Sequence, residues 1–230
     1  MTTAGDRSIT PLRGRPPSTS HREIERIGLA LFQRNGFDAT TMDDIADALG
    51  VGRRTLFRYY PSKNDIVWGD FELVLERLRR LLAQIPRDAP LLPSLSGAIV
   101  ASNFYEPDQL AILRIRMTLI TKVPALQAHA MLRYRSWRQV VAEFVAERRG
   151  EDLDALVPQT LGFATLGLSM GAFSCWVDSE GDDLDVNLER AFGILDGSTP
   201  LDPGSVPAAT DQPRTVRSPL GTCEADATSA

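Results

Sequence analysis

The sequence predicts an all-α protein, with a three-helix N-terminal domain of helix-turn-helix type followed by a larger C-terminal helical domain. Three observations carry that prediction. Ser or Thr stands three positions ahead of an acid at Ser20 with Glu23, Thr41 with Asp44 and Ser62 with Asp65, a spacing that caps helix N-termini by reciprocal hydrogen bonds. Apolar residues after each cap recur at three- and four-residue spacing. No segment alternates apolar and polar residues as a half-buried strand does.

Residues 1–17 hold Arg7, Arg13 and Arg15 against one acid, Asp6, and Pro11, Pro16 and Pro17 block helix, so a flexible basic arm is expected. The first helix follows Ser20, with Ile24, Ile27, Leu31 and Phe32 on one face, and Asn35-Gly36 stops it. A short helix from Met42 to about Leu49 ends at Gly50, and a third, Arg53 to Tyr59, runs into Pro61. Ser62 then opens a long helix expected to continue to about Ala83, with Ile66, Phe71, Leu75, Leu78 and Leu82 apolar. Further helices are expected over about 91–103, 107–121, 124–149, 153–178 and 184–196. Residues 197–230 contain five prolines and no aromatic residue, too little apolar surface to offset the entropy of ordering, so a disordered tail is expected. The expected organisation is an arm at 1–17, a helix-turn-helix domain at 18–66, a helical domain at 67–196 and a tail at 197–230.

With 230 residues, 43% of them hydrophobic, and a formal net charge of −5, the chain can bury a real core and is neither collagenous nor wholly disordered. Two cysteines, Cys175 and Cys223, and two histidines, His21 and His129, are too few and too scattered for a disulfide framework or a Cys/His zinc site, and no cofactor or metal is expected. Residues 1–10 hold charge and no apolar run, so no secretory signal is expected and the cytoplasm is the default compartment. Ala155 to Val177 carries no charge and is long enough to span a bilayer. Pro158, three glycines and several hydroxyls interrupt it, and acids rather than basic anchors flank it, so a helix buried among helices is expected and no membrane partner. An enzyme is not expected either, because the two histidines are far apart, no Ser or Cys is placed beside them by spacing and no glycine-rich phosphate loop appears. Cys175, in apolar company, is expected to be an inert thiol.

The chemistry concentrates in residues 45–63. Ala46 is small where two helices approach, Gly50 lies four positions on in the turn, and Ile45, Leu49, Val51 and Leu56 fill the space between them. Such a turn lets the second helix project its N-terminal end into a DNA major groove. From Val51 to Lys63 there are four basic residues, Arg53, Arg54, Arg58 and Lys63, and no acid, interleaved with Tyr59 and Tyr60. Residues 1–70 carry 10 basic and 9 acidic groups, whereas 71–230 carry 15 and 21, so an acidic chain offers one local basic surface. Double-stranded DNA is the expected partner of that surface. A solvated helix face would also explain the arginines, but not the caps, the helix-ending glycine and the aromatic pair around them.

The residues Ala30-Leu31-Phe32, Gly36-Phe37, Thr40-Thr41-Met42, Ile45-Ala46, Gly50-Val51 and Thr55 through Lys63 resemble the N-terminal DNA-binding domain of TetR-family transcriptional regulators over about residues 20–70. Within that family, Arg53 to Asn64 followed by Ile66, Trp68, Gly69, Asp70 and Phe71 is most similar to the actinobacterial regulators of the mycofactocin system. The resemblance implies base reading by Arg53, Arg54 and Thr55, with arginine bidentate to guanine O6 and N7. It implies phosphate contacts by Thr41, Tyr59 and Lys63, exposed phosphate or thymine-methyl contacts by Phe57 and Arg58, and a core role for Tyr60. Arg13 and Arg15 would reach a minor groove or stay solvated. It also implies a C-terminal ligand-binding and dimerisation domain whose last two helices pair with a second subunit, making a homodimer on a roughly palindromic operator. Gly167 and Gly171, four apart, would let backbones approach there, with Leu161, Leu168, Phe173 and Trp176 as bulk.

Candidate effector-lining positions are Phe71, Leu75, Leu78, Phe104, Leu113, Met117, Ile120, Met131, Trp137 and Phe163, although apolar residues at helical spacing equally build plain core. Arg114, Arg116, Arg133, Arg135 and Arg138 crowd the middle helices. They suit an anionic effector, with Arg114 and Arg133 as contacts, and the resemblance implies a long-chain acyl-CoA; they equally suit ion pairs with acids such as Glu106, Asp108 and Glu143. Glu72, Arg77 and Arg79 are placed near the lever that would transmit a signal. The expected function is a ligand-responsive regulator, a repressor released by a small molecule. An activator of the same fold and a ligand-independent architectural DNA binder are the alternatives, the latter predicting weak sequence preference and a steep salt slope.

Overall fold

The computed structural model describes residues 19–179 and 181–200, and within them the chain forms ten α-helices and no strand. The arm and most of the tail, with Arg13, Arg15 and Cys223, lie outside the described residues. α1 (His21–Asn35) begins where Ser20 Oγ accepts the Glu23 N–H at 3.2 Å. α2 (Met42–Leu49) carries the full reciprocal cap: the Thr41 N–H donates to the Asp44 carboxylate at 2.8 Å, and the Asp44 N–H to Thr41 Oγ1 at 3.1 Å. The Thr41 hydroxyl and N–H hold the Asp44 carboxyl below its usual range, so the cap contributes fully above that range and is lost as pH falls. Gly50, at φ 66° and ψ 27°, turns the chain into α3 (Arg53–Tyr59). Ile24, Leu29, Phe32, Ile45 and Leu56, each at most 1% exposed, close the core between these three helices.

The helix expected from Ser62 to Ala83 is two helices. α4 (Lys63–Trp68) stops at Gly69, whose φ of 58° and ψ of −148° no helix accommodates, and α5 (Phe71–Ala83) starts afresh in a new direction. A packing contact accompanies the break: Gly69 lies against the Arg116 guanidinium and the Glu25 carboxylate, so close that a Cβ would sit 2.5 Å from Arg116 Nη1. α6 (Leu91–Ser102), α7 (Pro107–Lys122) and α8 (Pro124–Arg149) follow, with proline in the first turn of α7 and α8 where its missing N–H is harmless.

α9 (Leu156–Asp178) begins at Leu156 rather than near 153, because the Ala155 N–H bonds the Asp152 carbonyl at 3.0 Å and holds residues 152–155 in a turn. It is long and apolar enough by composition to cross a membrane, yet it packs along α8 and along α10 (Leu184–Asp196). Its inner hydroxyls are satisfied one turn back, Thr165 on the Leu161 carbonyl at 2.6 Å and Ser169 on the Thr165 carbonyl at 2.9 Å. Phe173 and Trp176, expected as bulk for a subunit interface, are instead buried in this chain's own core. Thr160, Phe163, Gly167, Gly171 and Cys175 make a stripe exposed on the opposite face, so the Cys175 thiol is not enclosed in apolar surroundings as the sequence suggested.

Candidate nucleic-acid interface and effector cavity

α3 is a seven-residue helix held down by Leu56, which is fully buried, so its other side chains are sorted by where that anchor leaves them. Arg53, Arg54, Phe57 and Arg58 are exposed, and Thr55 and Tyr59 are half-buried. Arg53 does not stand free: its Nη1 donates to Asp43 of α2 at 2.9 Å, and its guanidinium lies 5.3 Å from the Phe57 ring centre. Arg54 has no ion-pair partner among the described residues. Arg58 leans over the Tyr59 ring, and the Tyr59 hydroxyl donates to the Thr19 carbonyl at 2.8 Å. Thr41 is exposed at the start of α2, its hydroxyl engaged with Asp44 at 2.7 Å.

Lys63, for which the resemblance implied a phosphate contact, is bonded to backbone within the chain. Its ammonium donates to the carbonyls of Phe37 at 2.7 Å, Thr40 at 3.2 Å and Asp38 at 3.3 Å, and lies 4.4 Å from the Phe37 ring centre. It therefore fastens the turn between α1 and α2. Lys63→Ala is expected to cost about 1.5–3 kcal/mol, the range for hydrogen bonds to a charged group. Thermal denaturation should show the loss as a lower Tm with the salt dependence of DNA binding unchanged; a salt slope reduced by about 1 would put the ammonium on a phosphate instead.

A cavity of about 500 Å³ opens among α1, α4, α5, α7, α8 and α9. Of the positions chosen from sequence, Phe71, Leu113, Met117, Ile120 and Trp137 line it. Leu75 and Leu78 do not, being buried on the core side of α5. Phe104, Met131 and Phe163 are half or more exposed and away from it. Arg114 turns to the C-terminal end of α9, donating to the Trp176 and Ser179 carbonyls and stacking 4.1 Å from the Trp176 ring centre. Arg133 pairs with Asp65 at 3.0 Å, and Arg138 lies over the Phe163 ring at 3.7 Å. Arg114, Arg133 and Arg138 are thus taken up by carbonyls, a carboxylate and rings, Arg135 is exposed, and of the five arginines Arg116 lines the cavity. Of the lever residues, Arg79 pairs with Glu72 at 2.8 Å and Arg77 donates to the Phe104 carbonyl at 2.7 Å.

Sequence reasoning missed the residues that join this cavity to α1 and α4. Arg116 of α7 donates to the Glu25 carboxylate of α1 at 2.5 Å and, through Nη1, to the Trp68 carbonyl of α4 at 2.9 Å. The other Glu25 oxygen accepts the Tyr60 hydroxyl at 2.6 Å. Burial and the Glu25 carboxylate both push the Tyr60 phenol well above its ordinary range, so it stays a donor at any physiological pH. Arg116 and Glu25 keep less than a fifth of their side-chain surface, and with Trp68 they form part of the cavity wall. The remaining charges at the wall are Arg22, paired loosely with Asp108 at 3.7 Å, and Asp70. No local signal marks a pair 91 positions apart.

Residues 27–67 match the family model of bacterial regulatory proteins of the TetR family, and residues 89–200 match the model of the MftR C-terminal domain. The protein assigned as the mycofactocin biosynthesis transcriptional regulator MftR of Mycobacterium tuberculosis is 40% identical over 182 residues, which is 79% of this chain and 92% of the relative. The chain belongs to the TetR family of bacterial transcriptional regulators. A second relative, the HTH-type transcriptional regulator TcmR of Streptomyces glaucescens, is 29% identical over 62% of this chain and 66% of its own. Among solved structures, FadR of Thermus thermophilus, a TetR-family repressor in complex with lauroyl-CoA, superposes with a TM-score of 0.51 over 83% of this chain and all of that one, at 21% identity. The chain is therefore a transcriptional regulator and not an enzyme, of a family whose members bind DNA and small-molecule effectors, typically as dimers.

Proposed function

We propose that this TetR-family protein is a cytoplasmic repressor that binds a palindromic operator as a homodimer and leaves it when a small molecule, a long-chain acyl-CoA, fills the cavity. The observation that carries the reading is that one cavity wall is the Arg116, Glu25 and Trp68 network itself, so an occupant touches the residues that join α7 to α1 and α4. An effector that stabilises one placement of α4 against α7 shifts the population of recognition-helix spacings, and a spacing that no longer matches successive major grooves releases DNA. Volume supports the ligand class, since about 500 Å³ is within the range of small-molecule sites. The lining supports it too, with Leu113, Met117, Ile120, Trp137 and Phe173 apolar and Arg22 alone at the wall as a largely exposed cation for phosphate. The FadR likeness supports an acyl thioester as the first compound to test.

Fluorescence anisotropy on the DNA flanking the protein's own gene, against random duplex and with oleoyl-CoA added, tests the reading. Specific binding that the acyl-CoA abolishes is expected; specific binding indifferent to it would discard the ligand, and no preference over random DNA would discard the regulator's operator.

Dimerisation is proposed through α9 and α10. The exposed stripe of α9 has glycine at 167 and 171, and a Cβ at either would meet nothing within this chain. Gly171→Phe is therefore expected to leave the protomer folded while a dimer relying on close helix approach is lost. Sedimentation equilibrium should report a monomer with wild-type helicity, and an unchanged dimer would place the interface elsewhere.

A further inference from the structure

Most polar groups at the cavity wall are already engaged. Ser169 Oγ donates to the Thr165 carbonyl, Asn103 Nδ2 to the Ile99 carbonyl, and Arg116 to Trp68 and Glu25. Two donors on lining residues are both buried and without a hydrogen-bond partner among the described residues: the indole Nε1 of Trp68 and the hydroxyl of Tyr134. They are neighbours, since the two rings meet edge to face with centres 5.6 Å apart. Trp68 is 5% exposed, and burial pushes the Tyr134 phenol up to about 12, so it remains protonated. Buried donors without a partner are rare and costly, and two of them on adjacent residues of one cavity wall point to an acceptor that arrives with the ligand.

The charge on that acceptor can be argued as well. The acids at the wall, Glu25, Asp70 and Asp108, outnumber its two cations; Arg116, the buried one, is already paired with Glu25, and Arg22 is largely exposed and only loosely paired with Asp108. A carboxylate buried here would lack a counter-charge, whereas a neutral carbonyl needs only donors. We propose that Trp68 and Tyr134 form a two-donor clamp for one neutral carbonyl oxygen of the effector, a thioester or ester rather than a free acid. The inference rests on the reading of the cavity as an acyl-chain site. It also gives Trp68 a sensing role, because its side chain would hold the ligand while its own carbonyl accepts from Arg116 at the end of α4.

Calorimetric titration of the full-length chain with lauroyl-CoA, methyl decanoate and decanoate tests this, using Trp68→Phe and Tyr134→Phe, which remove the donors and keep aromatic rings. The ester is expected to bind about tenfold tighter than the acid, and each variant to lose about tenfold for the ester and for lauroyl-CoA while its weak affinity for decanoate stays unchanged. Variants that hold the ester within about twofold of wild type, or an acid bound as well as the ester, would overturn the clamp. If methyl decanoate binds with the expected dependence and lauroyl-CoA does not bind, the acyl-CoA reading falls and the clamp stands. If lauroyl-CoA binds and neither variant changes it, the clamp falls and the acyl-CoA reading stands; if none of the three compounds binds, both fall. Tyr134→Phe removes a single oxygen from a helix interior, so its result is readable even if the smaller ring at 68 loosens the core.

Discussion

Arg54→Ala is expected to lower affinity for the operator by about 10- to 100-fold and to change affinity for random DNA far less, the signature of a lost bidentate contact to guanine worth about 1–3 kcal/mol. The arginines at 53 and 54 are adjacent in sequence but not equivalent in the folded chain. Arg54 is exposed with no ion-pair partner among the described residues, so it has only solvent to give up. Arg53 must first leave Asp43, 2.9 Å away, and the Phe57 ring it lies over. The Asp43 pair is more than half exposed on both sides and weak, so Arg53 can make that exchange, but its net gain on a base edge is smaller. Arg53→Ala should accordingly cost less than Arg54→Ala, and Asp43→Asn should tighten DNA binding by freeing Arg53 and removing an acid from the interface. Anisotropy titrations of the three variants on operator and random duplexes at two salt concentrations give this ranking. Equal losses on both duplexes for Arg54→Ala would reduce its role to phosphate contact.

The difference between those neighbours shows what kind of information the sequence holds. Helix starts were legible because a cap is local: Thr41 and Asp44 are three residues apart and bond each other as their spacing required. The recognition-helix surface was legible for the same reason, since burying Leu56 on a seven-residue helix settles which of its other side chains face outward. The break at Gly69 was hidden because Ile66, Phe71, Leu75 and Leu78 keep helical spacing across it, and a single glycine does not stop a helix unless something outside the helix demands its conformation. Arg116 and Glu25 make that demand from α7 and α1. The cavity was half legible. Phe71 lines it while Leu75, one turn later on α5, is core, and periodicity alone cannot separate the two. The three backbone carbonyls that the turn between α1 and α2 brings to the Lys63 ammonium were not legible, because they lie 23 to 26 positions away in sequence.

Gly69→Ala follows from that break and should be the most damaging small substitution in the chain. Two costs coincide at this position. The backbone at φ 58° and ψ −148° is one that a residue with a Cβ holds only under strain, about 1–3 kcal/mol. The Cβ itself would lie 2.5 Å from Arg116 Nη1 and 2.8 Å from Glu25 Oε2, so the ion pair must open to admit it. Breaking a buried pair costs about 3–5 kcal/mol, and since solvent still reaches nearly a fifth of each side chain, the low end applies. A combined loss of about 4–6 kcal/mol would lower Tm by about 15 °C. Gly50→Ala is the control, because Gly50 also has positive φ, at 66°, but open space where its Cβ would go, and should lose only about 1 kcal/mol. Arg116→Lys then separates stability from signalling. Lysine keeps the charge but lacks the planar fork that serves Glu25 and the Trp68 carbonyl together, so the protein should fold and bind operator while releasing it poorly when the effector is added. If Gly69→Ala proves no worse than Gly50→Ala, the Arg116 and Glu25 pair yields easily, and a contact that yields easily cannot carry the force from cavity to recognition helix.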